Sequence, residues 1–130
     1  MRWILLSLLL LAGCSPTARI IGFGCEDDPY FQITKVDGKL QACYDDRLVR
    51  VTMENGAEQD VEQLLIVIQG DAGSVEAVKD VKLNRGFAVS ARVAYEVGEI
   101  ALPRDVAVTP IVNGRECRIN MRTAPLRHCE

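Results

Sequence analysis

Hydrophobic and polar residues alternate along much of the chain after residue 24, and a period of two predicts β-strands. The alternation is clearest over residues 49–54, 89–97, 106–112 and 117–122. Residues 64–68 form instead a continuous apolar run rich in β-branched side chains, which is typical of a central strand. The pattern therefore predicts a domain built mainly of strands.

Turn residues separate these segments and indicate hairpins. Asp37-Gly38 and Asn113-Gly114 are two-residue pairs that favour a tight turn between antiparallel strands. Asn55-Gly56 also supplies turn residues, but the polar stretch that follows it, up to residue 60, indicates a longer loop. The spacing predicts a strand pair around each of these sites.

Residues 74–81 fit two structures. Val75, Val78 and Val81 have helical spacing behind a possible N-cap at Ser74, which would make a short helix. Three valines favour a strand, and a strand is our prediction. With this segment included, about seven strands predict an all-β fold, specifically an immunoglobulin-like antiparallel β-sandwich.

The first residues have the pattern of an export signal. Arg2 precedes a run of apolar residues that is broken only by Ser7 and is much shorter than the about 20 residues of a membrane-spanning helix. The sequence Leu11-Ala12-Gly13-Cys14 that follows resembles the lipobox of prokaryotic lipoproteins. The resemblance implies that the chain is cut before Cys14 and that a diacylglycerol is attached to the Cys14 sulfur.

This resemblance divides the chain into three parts. Residues 1–13 are a lipoprotein signal peptide, expected to form an N-terminal signal helix; residues 14–24 are the lipidated Cys14 and a tether; and residues 25–130 are the β-sandwich domain. The expected location is the extracytoplasmic face of a cell membrane or outer membrane, with the host, archaeal or bacterial, left open. An ordinary transmembrane or buried helix ending in a cysteine is the alternative reading.

Charge narrows the range of partners. Removing Arg2 from the 15 Lys and Arg leaves 14 against 18 Asp and Glu, so the mature chain has a net charge of about −4. An acidic chain without a basic cluster argues against nucleic acid as a partner. Besides the membrane, reached through the lipid on Cys14, we expect the partner to be an envelope protein or a surface polymer.

Four cysteines remain in the mature chain, and an even number in a small exported domain predicts two disulfides. The four residues are Cys25, Cys43, Cys117 and Cys129. Of the three possible pairings we favour Cys25–Cys43 and Cys117–Cys129, because these partners are neighbours along the chain. A zinc site with four thiolates is disfavoured because the chain has no Cys-x-x-Cys pair.

Residues 48–68 resemble the first hairpin of immunoglobulin-like modules of the CARDB kind, which occur on archaeal and bacterial surfaces. In those modules a strand ends in a Val-x-Asn-x-Gly pattern, a loop follows, and a second strand begins. Pro110, Ile111 and Val112, with Cys117 and Cys129 after them, are also similar to small exported domains of this type. The resemblance implies a non-catalytic module and identifies no functional residue.

No residue set in the sequence predicts an active site. His128 is the single histidine and sits beside Cys129 at the C-terminal end, where an exposed position next to a disulfide is the expected role. Acidic residues cluster at 26–28, 45–46 and 58–62 without the spacing of a calcium loop, so we expect solvated loops. We therefore predict no catalytic residue, no metal and no cofactor, and a binding, adhesion or scaffolding role.

Two alternative functions stay open. The chain could be a metal-binding or small-ligand-binding lipoprotein, or a small envelope enzyme or inhibitor. Ile20, Ile21 and Phe23 form an apolar cluster in the tether, and they could lie on the membrane or pack on the edge of a sheet.

Overall fold

The computed structural model of the chain describes Cys25, residues 27–56 and residues 59–130. These residues form an all-β fold with one short α-helix, α1 (Val97–Ile100), and one 3-10 helix, η1 (Arg118–Asn120). The predicted signal peptide, its helix and the tether lie outside the described residues. The strands are β1 (Phe31–Ile33), β2 (Lys35–Val36), β3 (Lys39–Leu40), β4 (Ala42–Tyr44), β5 (Leu48–Asn55), β6 (Val61–Gly70), β7 (Ser74–Leu83), β8 (Phe87–Ala94), β9 (Pro103–Val112), β10 (Arg115–Glu116), β11 (Arg122–Pro125) and β12 (Arg127–His128).

One five-stranded sheet, sheet I, is built around β5. β8 pairs along one side of β5, while β1 and β4 pair along its other side, one after the other. The short β2–β3 hairpin lies between β1 and β4 in sequence. β12 joins β4 in parallel at the edge, and every other pair in sheet I is antiparallel.

The second five-stranded sheet, sheet II, has β6 and β9 at its centre. β7 pairs with β6 at one edge, and β10 and β11 pair with β9 at the opposite edge. All pairs in sheet II are antiparallel. The chain passes from sheet I to sheet II after β5 and after β8, and it returns to sheet I after β7 and after β11.

Alternate residues of both sheets meet in one hydrophobic core. Val49, Val51 and Met53 of β5 are fully buried, as are the β6 residues that the apolar run predicted: Leu64, Ile66 and Ile68. Each such side chain contributes roughly 1.5–3 kcal/mol when it leaves water. The period of two in the sequence therefore corresponds to the inward face of the strands.

Both predicted hairpin turns are confirmed. Asp37 and Gly38 have φ values of 52° and 78°, and Asn113 and Gly114 have values of 52° and 77°. Two consecutive residues with positive φ define a type I′ turn, which matches the twist of the strands it connects. Asparagine, aspartate and glycine tolerate this backbone region better than other residues do, so the local sequence selects these turns.

Residues 74–83 form the strand β7, so the favoured prediction is confirmed and the helical alternative is wrong. Each residue from Gln63 to Gln69 of β6 has a partner in β7, with Leu65 opposite Val78 and Ile66 opposite Ala77. Backbone pairing over this length outweighs the helical spacing of the three valines, because the neighbouring strand satisfies the backbone groups.

Two strand boundaries differ from the prediction. β8 ends at Ala94, and Val97 begins α1, whose Ile100 is 1% exposed and closes one end of the core. The Ile100 carbonyl accepts a hydrogen bond from the backbone N–H of Ala72, and a Cβ on Gly70 would lie only 2.2 Å from its oxygen. A side chain at position 70 would clash with Ile100, so glycine there allows α1 to pack against the end of β6. The alternating pattern of residues 89–97 therefore ends in a helix.

The predicted strand over residues 117–122 is also wrong in part. η1 interrupts it, and strand pairing resumes only at Arg122. Cys117 is bonded to Cys25, and the buried Asn120 accepts a hydrogen bond from the backbone N–H of Asp28 at 2.8 Å. These contacts with the start of the domain replace sheet pairing in this segment.

Candidate interaction surfaces

The structure pairs Cys25 with Cys117 and Cys43 with Cys129, so the favoured pairing of chain neighbours is wrong. The Cα–Cα distances are 5.1 and 5.0 Å, within the usual range for disulfides. The physical reason is topological: β12 lies beside β4, so Cys129 reaches Cys43 in space although 86 residues separate them. Four disulfide-bonded cysteines, as predicted, are therefore present among the described residues.

The outward face of sheet I carries a row of arginines. Arg50 of β5 lies directly opposite Arg92 of β8, and on its other side it lies opposite Cys43 of β4. Cys43 is in turn opposite Arg127 of β12. All three arginines are exposed, and no ion pair involves them within the part of the chain that the structure describes. We call Arg50, Arg92 and Arg127 the arginine row.

The surroundings of this row are polar. The hydroxyl groups of Thr52 and Ser90, in the next row of the same face, are 2.8 Å apart and hydrogen-bonded. Glu54 lies on this face as well, four residues along β5 from Arg50, which corresponds to about 13 Å. Like charges directly opposite each other destabilise a strand pair, so the Arg50–Arg92 pair is unfavourable for the isolated sheet.

Asp45 lies in the turn between β4 and β5, near Arg50 of the row. Its Oδ1 accepts hydrogen bonds from the backbone N–H groups of Arg47 and Leu48, both at 2.9 Å. These bonds, above all the one from Arg47, lower the pKa of Asp45, and the nearby Arg50 charge lowers it further. The carboxylate therefore stays charged while it holds the turn that leads into β5.

Tyr95 fixes the same turn from the other side. Its hydroxyl group donates a hydrogen bond to the backbone carbonyl of Asp45, and its backbone N–H donates to the Arg47 carbonyl at 3.0 Å. Burial raises the pKa of Tyr95, so the phenol keeps the proton that it donates. The end of sheet I beside the arginine row is thus held by hydrogen bonds to the backbone.

The outward face of sheet II carries a small apolar patch among polar residues, since Glu76 lies opposite Val67 and Asp80 lies opposite Gln63 on the same face. Leu65 and Val67 of β6 point outward and are half-buried, and Val78, opposite Leu65, is 54% exposed. On the other side, Thr109 and Ala107 of β9 continue the two rows. Met121, which is 47% exposed, precedes Arg122, and extension of the β9–β11 register places it beside Thr109.

The other candidate residues do not converge. His128 lies edge-on against the ring of Tyr44, 5.4 Å between centroids, and its Nδ1 is 2.8 Å from the Cys129 carbonyl. No group of three or more His, Cys, Asp or Glu residues in the described structure is arranged to hold a metal ion. Cys14, the predicted lipidation site, lies outside the described residues.

A cavity of about 500 Å³ opens at the α1 end of the domain. Its lining includes Arg47 and Tyr95 from the turn region, together with Glu96 and Glu99 around α1. His128 is not among the residues that line it, so this cavity does not combine histidine with a nucleophile. Among the described residues, no helix has the length and hydropathy to cross a bilayer.

The arginine row was missed by reasoning from the sequence. Alternation places Arg50 and Arg92 on the polar sides of their strands, but it does not say which strands are neighbours or in which register they pair. Net charge, which averages over the whole surface, conceals a local positive row on an acidic chain. A count of arginines on the polar side of each predicted strand was the one available signal.

Comparison of the chain with protein-family models, with curated proteins and with solved structures found no match.

Proposed function

We propose that this chain is a lipid-anchored, extracytoplasmic binding module without catalytic activity, and that the arginine row on sheet I binds an anionic polymer of the cell envelope. The domain is an immunoglobulin-like β-sandwich in this proposal. Support for that class comes from two mainly antiparallel sheets with one shared core, between which the chain crosses repeatedly, as in Greek-key sandwiches.

Two features support a location outside the cytoplasm. The sequence at Cys14 resembles a lipobox, and the domain behind it has two disulfides. Disulfides persist in oxidising compartments and are rare in the cytosol, so they agree with export. The lipid on Cys14 then holds the module at the membrane surface.

The in-register arginine row is the observation that carries the binding proposal. Arg50 and Arg92 are about 5 Å apart across adjacent strands, and Arg127 is about 10 Å from Arg50 across the edge of the sheet. A guanidinium group binds carboxylate and phosphate groups with two parallel hydrogen bonds. A chain of repeating anionic groups can therefore contact the row at several points and offset the repulsion between the arginines.

The first test measures binding to polyanions of defined chemistry. Wild-type protein should bind inorganic polyphosphate or polygalacturonate, it should not bind neutral dextran, and added salt should weaken binding because it screens exposed charges. Arg92→Glu should reduce the affinity at least about tenfold, because it replaces an attractive charge with a repulsive one.

The matched control is Arg85→Glu, which makes the same charge change at an exposed position in the loop before β8. If Arg85→Glu weakens binding as much as Arg92→Glu does, the effect is one of net charge and the row is not the binding site. If the wild type binds none of the polyanions, the proposed partner class is wrong.

A further inference from the structure

We propose that the Cys43–Cys129 disulfide is a site of thiol–disulfide exchange with an external dithiol, and that its opening releases Arg127 from the arginine row. The bond joins β4 to β12 at the edge of sheet I. Both cysteines are half-buried, and Cys43 lies within the row, between Arg50 and Arg127. The exchange itself does not depend on polyanion binding, whereas its effect on affinity rests on the proposed function.

Positive charges flank Cys43 on two sides. Arg50 is its partner on β5 and Arg127 is its partner on β12, and paired residues of neighbouring strands point to the same face of a sheet. The carboxylate of Asp45, in the turn after β4, accepts hydrogen bonds from two backbone N–H groups, which offset part of its charge. Two guanidinium groups are therefore placed to stabilise a thiolate at Cys43, as is typical of reactive cysteines.

The exchange is a substitution at sulfur. A thiolate of the dithiol attacks the Cys129 Sγ, forms a new S–S bond with it and expels the Cys43 Sγ as a thiolate. The second thiol of the donor loses its proton to solvent, attacks the donor sulfur of this mixed disulfide and expels the Cys129 thiolate. The protein thus gains two electrons, and the donor leaves as a disulfide. Because a stable leaving thiolate speeds the reaction, the arginines beside Cys43 favour the first step.

The Cys25–Cys117 disulfide has the opposite surroundings. Cys117 is 1% exposed and belongs to the hydrophobic core. Packing shields the Cys117 sulfur from attack, and attack at the Cys25 sulfur would leave a thiolate on Cys117 inside the core, where burial disfavours the charged form. Exchange at this disulfide should therefore be slower in either direction.

The Cys43–Cys129 bond is the main constraint on β12. This strand has two residues, and both are exposed. Besides the disulfide, the Cys129 N–H donates a hydrogen bond to the Tyr44 carbonyl at 2.8 Å. Leu126, just before the strand, packs against the core, so loosening would be confined to residues 127–130. A segment with so few buried contacts opens easily, and Arg127 would leave its position in the row.

Graded reduction, followed by alkylation and peptide mass mapping, tests the exchange. The full chain, isolated without reductant, is treated with dithiothreitol and quenched with iodoacetamide at intervals. We expect Cys43 and Cys129 to be alkylated at least about tenfold faster than the cysteines of the other disulfide. Arg50→Gln and Arg127→Gln should each slow this alkylation about threefold, because each removes one charge that stabilises the leaving thiolate.

Arg85→Gln is the matched control, because it removes the same charge at an exposed position in the loop before β8. It should leave the alkylation rate of Cys43 unchanged. Alkylation of both disulfides at equal rates, or of the Cys25–Cys117 pair first, would overturn the proposal. Rates in Arg50→Gln and Arg127→Gln equal to that of Arg85→Gln would overturn the role of the arginines.

The release of Arg127 is tested with the double variant Cys43→Ser, Cys129→Ser, and with wild-type protein in which only these two cysteines have been reduced and alkylated. Trypsin should cleave after Arg127 about fivefold faster in both samples than in the untreated wild type. Their affinity for polyphosphate should fall about threefold, because one charge leaves the row. Equal cleavage rates would contradict the release, and faster cleavage with unchanged affinity would contradict the effect on the row. A wild type that binds no polyanion would refute the proposed function without altering the order of alkylation, so the two proposals fail separately.

Discussion

Asp45 shows how one side chain shapes the end of sheet I. Its carboxylate accepts two backbone hydrogen bonds inside the turn between β4 and β5, while Tyr95 binds the carbonyl of the same residue. An aspartate that accepts bonds from the backbone two and three residues ahead is a common way to stabilise a turn. The turn sets the register of β5 against β4, which places Cys43 opposite Arg50, and the bonds of Tyr95 hold the end of β8 beside the same turn.

The lowered pKa of Asp45 makes a prediction about pH. Because the pKa lies below its ordinary value of 3.8 in the folded state, the contribution to stability is present above that value and is lost as the pH falls through the folded-state pKa. Asp45→Ala should therefore lower the melting temperature at pH 7, and the gap from the wild type should narrow between about pH 4 and pH 2. Thermal unfolding followed by circular dichroism measures both.

Asp46→Ala is the control for this prediction, since Asp46 is exposed and follows Asp45 in the same turn. It should change the melting temperature less than Asp45→Ala does at neutral pH. A gap between wild type and Asp45→Ala that stays constant from pH 7 to pH 2 would show that the carboxylate charge does not stabilise the turn.

Another residue, Asn55, was read from the sequence only as part of a turn, but it also connects the sheets. It is the last residue of β5 and is 1% exposed. Its side-chain amide donates to the carbonyls of Gln59, at 2.7 Å, and Leu83 of β7, at 3.0 Å. A polar residue at the end of an alternating strand gives no sequence signal of burial, because the bond that buries Asn55 goes to Leu83, 28 positions away.

At the scale of elements, the paired strands β5 and β8 place Arg50 opposite Arg92. This pair destabilises the sheet by repulsion and is also part of the proposed binding site. Arg92→Glu would place a carboxylate directly opposite Arg50 and turn repulsion into attraction. We expect this variant to be more stable than the wild type by about 0.5 kcal/mol, roughly 3 °C in melting temperature, while it binds polyanions less well. Thermal unfolding beside the binding measurement checks this.

Arg85→Glu again provides the comparison, because it changes the charge equally without a cross-strand partner. An Arg92→Glu variant that melts below the wild type would show that the Arg50–Arg92 pair is not repulsive in the folded protein. Greater stability together with weaker binding would indicate that the row is kept for its partner.

Elements defined by local sequence were predicted well, and those defined by distant contacts were not. The type I′ turns at Asp37-Gly38 and Asn113-Gly114 depend on two adjacent residues, so the sequence was sufficient. η1 depends on the bonds of Cys117, which precedes it, and of its last residue, Asn120, to the start of the domain, more than 90 positions away. The arginine row depends on strand register, which alternation alone does not determine.

At the scale of the whole molecule, the two disulfides interlock the ends of the domain. Cys25–Cys117 and Cys43–Cys129 each span most of the domain, with separations of 92 and 86 residues. Closing a loop of about 90 residues is worth about 4.6 kcal/mol in the chain-entropy model, and the second bond closes a remaining path of roughly 30 residues, worth about 3.6 kcal/mol. Both values exceed those expected for the pairing of neighbours, because the loops are longer.

The disulfides also determine where the chain enters and leaves the fold. Cys25–Cys117 holds residue 25 against the core at the edge of sheet II, while Cys43–Cys129 holds residue 129 at the edge of sheet I, close to Arg127 of the arginine row. In the proposed function, the lipid on Cys14 precedes the end of the domain that is held at sheet II, and the arginine row lies on sheet I. The site of membrane attachment and the site of polyanion binding would then be on different sheets.

The most direct test of this account is peptide mass mapping, without reduction, of the protein isolated from the membrane fraction of its native cells. The account predicts an N-terminal peptide that begins at a diacylglycerol-modified Cys14, together with peptides joined through Cys25–Cys117 and Cys43–Cys129. An unmodified peptide that begins at Met1, in a soluble protein whose Cys25, Cys43, Cys117 and Cys129 are free thiols, would contradict it.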